Sequence, residues 1–138
     1  MDRKAARQLA RSVIEATDGY ALICDGPPDK FAKKSPVCVI TSKSIGVTFD
    51  ARDEWTIESA ILVSIYVQRV SGKEDAAEDQ LDDLVRQAVL ALLATGEFSI
   101  DRSDAFAENA PLRDIDGVLY RVERIPLRVA EDYEDYEE

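Results

Sequence analysis

Residues 56–70, TIESAILVSIYVQRV, decide how this chain folds. Ile57, Ile61, Val63, Ile65 and Val67 share one parity, while Glu58, Ala60, Leu62, Ser64, Tyr66 and Gln68 share the other. One parity is apolar and the other mixed, the period-2 signature of a long strand with one face in a core. Ile65, Tyr66 and Val67 are β-branched or aromatic in succession, which suits a pleated surface. A strand this long belongs at the centre of a sheet.

Working outward, Pro36 opens an apolar run, Val37–Thr41, and Ile45–Phe49 reads as another short strand. Upstream, Tyr20–Cys24 is a short buried strand ended by Asp25-Gly26-Pro27-Pro28. Residues 2–17 form an amphipathic helix, with Ala6, Leu9, Ala10 and Val13 on one face and Arg3, Arg7 and Arg11 on another. Gly19 is placed to take a left-handed position after it. Downstream, Ser71 and Glu74 have the spacing of a capping box. They precede a helix to about Thr95 whose first turns carry Glu74, Asp75, Glu78 and Asp79. Its second half, AVLALLA over 88–94, is apolar nearly all round and needs cover on more than one side. Part of that cover could come from another subunit.

Asp116-Gly117 turns the chain into a last strand, Val118–Val129. Val118, Tyr120 and Val122 share one parity, and Ile125, Leu127 and Val129 the other, so a bulge is expected near Glu123-Arg124. Pro126 fits a bulge or a free edge. The expected architecture is α+β, a central mixed, largely antiparallel sheet with two helices on one face, in the order α-β-β-β-β-α-β. Residues 1–130 form a single domain. Residues 131–138, with six carboxylates in eight positions, read as a disordered acidic tail.

Composition narrows the chemistry. The chain has 138 residues, a net charge of −11 and no histidine. The lack of histidine excludes Ser-His-Asp and Cys-His catalysis and removes the commonest metal ligand. The negative charge opposes free-standing nucleic-acid binding. Cys24 and Cys38 sit in apolar, strand-like surroundings and read as reduced thiols. No apolar run reaches the length of a membrane span, and no signal-peptide core is present, so a soluble protein is expected. The glycines make neither a phosphate loop nor a nucleophile elbow. Asp101, Asp104, Glu108, Asp114 and Asp116 lack the spacing of an EF-hand loop. The residues therefore point to surfaces rather than to catalysis, with no cofactor and no metal site.

The order of landmarks resembles the tail terminator family of long-tailed bacteriophages, the lambda-type minor tail proteins. The matching features are the helix ending in Thr17-Asp18-Gly19, the strand ending in Asp25-Gly26 with Pro28 beyond, and Phe31. Then follow Pro36-Val37-Cys38-Val39, Trp55 heading the long strand, the helix around Gln80-Leu81-Asp82, and Leu119, Tyr120 and Val122 in the last strand. The likeness runs over about residues 1–130. It implies a non-enzymatic virion protein, assembled in the bacterial host cytoplasm, that forms a hexameric ring at the head-tail junction. Such a ring caps the tail tube, ends polymerisation of the major tail protein and receives the head-completion protein, while DNA passes through without tight binding. Candidate contacts with a neighbouring subunit or the tube are Arg3, Arg7, Arg11, Leu62 and Tyr66. Three alternatives stand beside it. One is another head-tail connector or neck protein, and the second is an acidic adaptor or inhibitor that binds a basic partner. The third is a metal-dependent hydrolase using Asp101, Asp104 and Asp116.

Overall fold

The computed structural model describes residues 1–26, 31–49, 55–100 and 112–132, and side chains within them outside 44–49, 55–56 and 130–132. Two helices and six strands follow in the order α1 (Arg3–Thr17), β1 (Leu22–Asp25), β2 (Val37–Phe49), β3 (Trp55–Gln68), α2 (Glu74–Ala94), β4 (Ser99–Ile100), β5 (Leu112–Ile115) and β6 (Val118–Asp132). The sheet is mixed, in the order β1-β2-β3-β6-β4, with β5 also paired to β6. Only the β1–β2 pair is parallel. This is the expected α+β architecture, with the strands distributed differently along the chain.

The two short strands expected over 37–41 and 45–49 are one strand, β2. Its register against β3 shifts between Ser42 and Ser44, so Lys43 is the extra residue of a bulge. The polar run Thr41–Ser44, which breaks the hydrophobic pattern, is where the strand bends, not where it ends. Conversely, no bulge lies at Glu123-Arg124. β6 pairs with β3 in unbroken register from Gln68↔Tyr120 to Thr56↔Asp132. The change of apolar parity has another cause. Ile125, Leu127 and Val129 bury under the helices, whereas Tyr120 and Val122 bury on the opposite face of the same flat strand. Pro126 lies between the positions covered by β5 (118–121) and by β4 (127–128), an outer edge without a partner among the described residues. Its missing N–H therefore costs no ladder bond there.

Both helices pack on one face of the sheet. Ala6, Ala10 and Ile14 of α1 and Leu81, Ala88 and Leu92 of α2 meet Cys38, Ile40, Ile61, Val63, Ile65 and Val67 in one core. The alanines at four-residue spacing let α1 lie close to the strands. Asp2 caps α1, its carboxylate accepting from the Ala5 N–H at 2.7 Å. At the other end Asp18, not Gly19, takes the left-handed conformation, with φ 52°. Gly19 instead lies close against α2, where a Cβ would stand 3.1 Å from Leu84 Cδ2 and that side chain would have to give by a few tenths of an ångström.

The capping box does not form. α2 begins at Glu74 with Lys73 as N-cap and no side-chain cap. Gly72, at φ 84°, turns the chain so that Ser71 lies two residues too early to reach the first turn. Glu74 instead accepts from the Gly72 N–H at 3.2 Å. Backbone hydrogen bonds, from its own N–H and then from Gly72, hold its carboxyl below the usual range. Beyond the helix, Gly96 takes a left-handed φ of 75° as expected.

The irregular-looking region before the last strand contains β4 and β5. β5 joins β6 through Asp116 (φ 54°) and Gly117 (φ 80°), both in the conformation that a two-residue hairpin turn requires. The Asp114 carboxylate accepts from the Gly117 N–H at 3.1 Å. β6 itself continues through Glu131 and Asp132, the first two residues of the expected tail. Residues 133–138 lie outside the described residues, as do Asp101, Asp104 and Glu108.

The two faces of α2 give a direct test of this packing. Leu92 is fully buried, while Leu90 is 61% exposed. Replacing Leu92 by Ala should cost about 2–5 kcal/mol in urea unfolding, and Leu90→Ala less than about 0.5 kcal/mol. Equal losses would mean that α2 is rotated about its axis.

Candidate interaction surfaces

Among the described residues, the face of the sheet without helices is only partly covered. The segment from Phe31 to Pro36 crosses it between the parallel strands β1 and β2. Phe31 is buried there with Val37, Val39, Tyr120 and Val122. Phe31, Tyr66 and Tyr120 meet edge to face, with centroids 4.8 Å apart for Phe31–Tyr66, 5.2 Å for Phe31–Tyr120 and 6.3 Å for Tyr66–Tyr120. The Tyr120 hydroxyl donates to the Lys34 carbonyl at 2.9 Å, and the Gln68 N–H donates to Ser35 Oγ at 2.8 Å. The aromatic set and these two bonds hold the segment onto the sheet.

Beside this cluster lies an open groove of about 200 Å³, lined among others by Phe31, Thr41, Leu62, Tyr66 and Arg124. Leu62 and Tyr66, expected to present a second apolar face, thus come together in one concavity. Their roles differ: Tyr66 is anchored in the aromatic cluster, while Leu62 lies on the groove floor, half-buried.

Continuous β6 also fixes which charges share this face. Arg124 and Arg128 have the parity of Tyr120, and Arg113 is the register partner of Tyr120. Lys33 and Lys34 stand exposed on the covering segment. Against these five bases stand Glu58, whose carboxylate lies 3.6 Å from Arg128, and Asp116 of the β5–β6 turn, whose charge acts on Tyr120. In a chain of net charge −11, the described side chains of the helix-free face are predominantly basic. This surface escaped the sequence reading because the assumed bulge would have turned Arg124 and Arg128 to the face opposite Tyr120. The signal was the common parity of Arg124, Arg128 and Tyr120.

Across the sheet, the outer side of α2 is the opposite in charge. Asp75, Glu78, Asp79, Asp82 and Asp83 are all exposed on α2. Farther along the same outer side stand Leu90 and Leu93, 61% and 40% exposed. Arg3, Arg7 and Arg11 of α1 belong to the helix layer too, on the far side of the sheet from Leu62 and Tyr66. Two of them are engaged within the chain: Arg7 Nη1 lies 3.4 Å from Asp25 Oδ1, and Arg11 Nε donates to Glu15 Oε1 at 2.8 Å. Arg7 Nε is buried with no hydrogen-bond partner among the described residues. Arg121 Nε reaches Glu78 at 2.6 Å, tying β6 to α2.

The thiols face opposite ways. Cys24 packs with the aromatic face and Cys38 with the helix-side core, and both are free. They stand on adjacent paired strands, one register step apart but on opposite faces of the sheet, which sets the two thiols against a disulfide. Burial pushes the Cys38 thiol up to about 12. No three His, Cys, Asp or Glu side chains among the described residues group to hold a metal. No helix among them is long and apolar enough to cross a membrane. No protein-family model and no curated protein matches the chain.

One half-exposed carboxylate of β6 lies beside the acids of α2. Glu123 faces α2, and its pKa is raised, chiefly by burial and further by Asp82 and Glu78, while Arg121 opposes the shift. The folded state therefore holds this proton more tightly than the unfolded chain. Its contribution is greatest in acid and is lost as pH rises from the ordinary carboxylate range through the raised value. Glu123→Gln should stabilise the protein at pH 7 by less than about 1 kcal/mol, because the group is half-exposed and screened. The gain should shrink towards pH 4 when followed by urea unfolding. A gain that grows in acid would contradict the raised pKa.

Proposed function

We propose that this chain is a ring subunit of the tail terminator type. In this reading it caps a phage tail tube at the head-tail junction, ends tube polymerisation and offers a surface for head joining. It acts by contact and catalyses nothing. One observation carries the reading beyond the order of sequence landmarks: the chain bears two unlike surfaces on opposite faces of one sheet, the acidic outer side of α2 and a grooved sheet face whose described side chains are mainly basic. Rings closed by head-to-tail contacts need such a pair, since each subunit offers one surface and receives the other.

A second reading, an acidic adaptor for a basic protein, draws support from the exposed carboxylates of α2. It differs in requiring a monomer that co-purifies with its partner.

Charge reversal on α1 tests the first reading. The Arg7–Asp25 and Arg11–Glu15 pairs are partly exposed and contribute little to stability, so Arg3→Glu, Arg7→Glu and Arg11→Glu together should leave the fold intact by circular dichroism. The triple variant should lose tail joining by at least about tenfold in an in vitro assembly assay. Unchanged joining and unchanged tube lengths would remove the arginines from the contact.

A further inference from the structure

We propose that the subunit contact is formed by the outer side of α2 of one copy seated on the helix-free sheet face of the next. The inference rests on the ring reading and names the surfaces that close it.

Three observations converge. First, the charges are complementary. The outer side of α2 carries Asp75, Asp79, Asp82 and Asp83 against the exposed Arg86, with Glu78 paired to Arg121, and the described side chains of the helix-free face carry Arg113, Arg124, Arg128, Lys33 and Lys34 against Glu58 and Asp116. For copies that each carry −11, approach along this pair of faces replaces repulsion by attraction. Second, shapes and polarities match. Leu90 and Leu93 form a short apolar ridge continuing the acidic stripe, and the groove floored by Leu62 offers an open apolar seat beside Phe31 and Tyr66. An apolar anchor in a pocket with charges at the rim is the usual anatomy of a specific contact. Third, the surfaces lie on opposite sides of the same sheet, so each copy can give one and receive the other without self-limiting to a dimer. The aromatic trio is closed on itself, with Tyr120 fully buried and Phe31 nearly so, and offers no stacking platform to a nucleic-acid base.

The test uses the full chain and two variants altered at exposed or half-exposed positions, each checked for a native circular dichroism spectrum. One is Leu90→Asp with Leu93→Asp. The other is Arg113→Glu with Arg124→Glu, and Leu62→Ala serves as a milder probe of the same face. Sedimentation velocity over a concentration series reads association. Wild type should associate, and each double variant should need at least about tenfold higher concentration to do so. An equimolar mixture of the two double variants should form a one-to-one heterodimer, because one intact surface of each kind remains. No larger species should form.

Association of both variants at the wild-type concentration, or a mixture that stays monomeric, overturns the inference while leaving the ring reading standing. Specific binding of a labelled oligonucleotide by wild type, abolished by Arg113→Glu with Arg124→Glu, overturns it by giving the face another partner. A wild type that never associates also overturns it. Co-sedimentation of wild type with tail tubes then decides whether the ring reading falls as well.

Discussion

The structure depends on β3 being hydrogen-bonded along both edges. β2 flanks it on one side and β6 on the other, each in long antiparallel register. A strand so enclosed cannot leave either face to solvent without cost, so its alternate side chains must supply two different environments. Ile61, Val63, Ile65 and Val67 fill the core beneath the helices, and Tyr66 anchors the smaller cluster with Phe31 and Tyr120. The helices take the larger side because α1 and α2 each present a stripe of the right width. Among the described residues, the other side is closed where the segment after β1 crosses it, held by the Tyr120 hydroxyl and Ser35. What it leaves uncovered is the groove.

This explains what the sequence made legible. Strand β3, both helices, the Asp116-Gly117 turn and the left-handed Gly96 follow from local pattern and turn chemistry, and the structure has each of them. The errors share one source. A change in apolar parity along β6 looks like a bulge when a strand is assumed to bury a single face. Here the two halves of β6 bury opposite faces, which only knowledge of the neighbouring elements can reveal. Likewise the polar Thr41–Ser44 run looks like a strand end, although a one-residue bulge at Lys43 absorbs it. Ser71 and Glu74 have capping-box spacing, but Gly72 turns the backbone before the helix starts. Strands β4 and β5 are too short for periodicity to register at all.

The candidate contacts divide along the same line. Arg3, Arg7 and Arg11 were visible as a helical stripe, and their partners Asp25 and Glu15 depend on tertiary and local geometry respectively. Leu62 and Tyr66 were visible as excess apolar character on the minor parity of β3. Their separation into an exposed seat and a packed aromatic was not, because it depends on Phe31, thirty-five residues before Tyr66. The basic character of the helix-free face was hidden by a composition dominated by acids. A chain of strongly negative net charge can still carry a positive surface, when periodicity gathers its few bases on one side of a strand.

The central claim is that these unlike faces serve assembly. Its most direct measurement is the mass of the purified chain, alone and in the presence of tail tubes, by sedimentation or mass photometry. The account predicts a closed species near six copies of the 15.3 kDa chain, free or bound at tube ends. A 15.3 kDa monomer under both conditions, with no association to tubes, would contradict it.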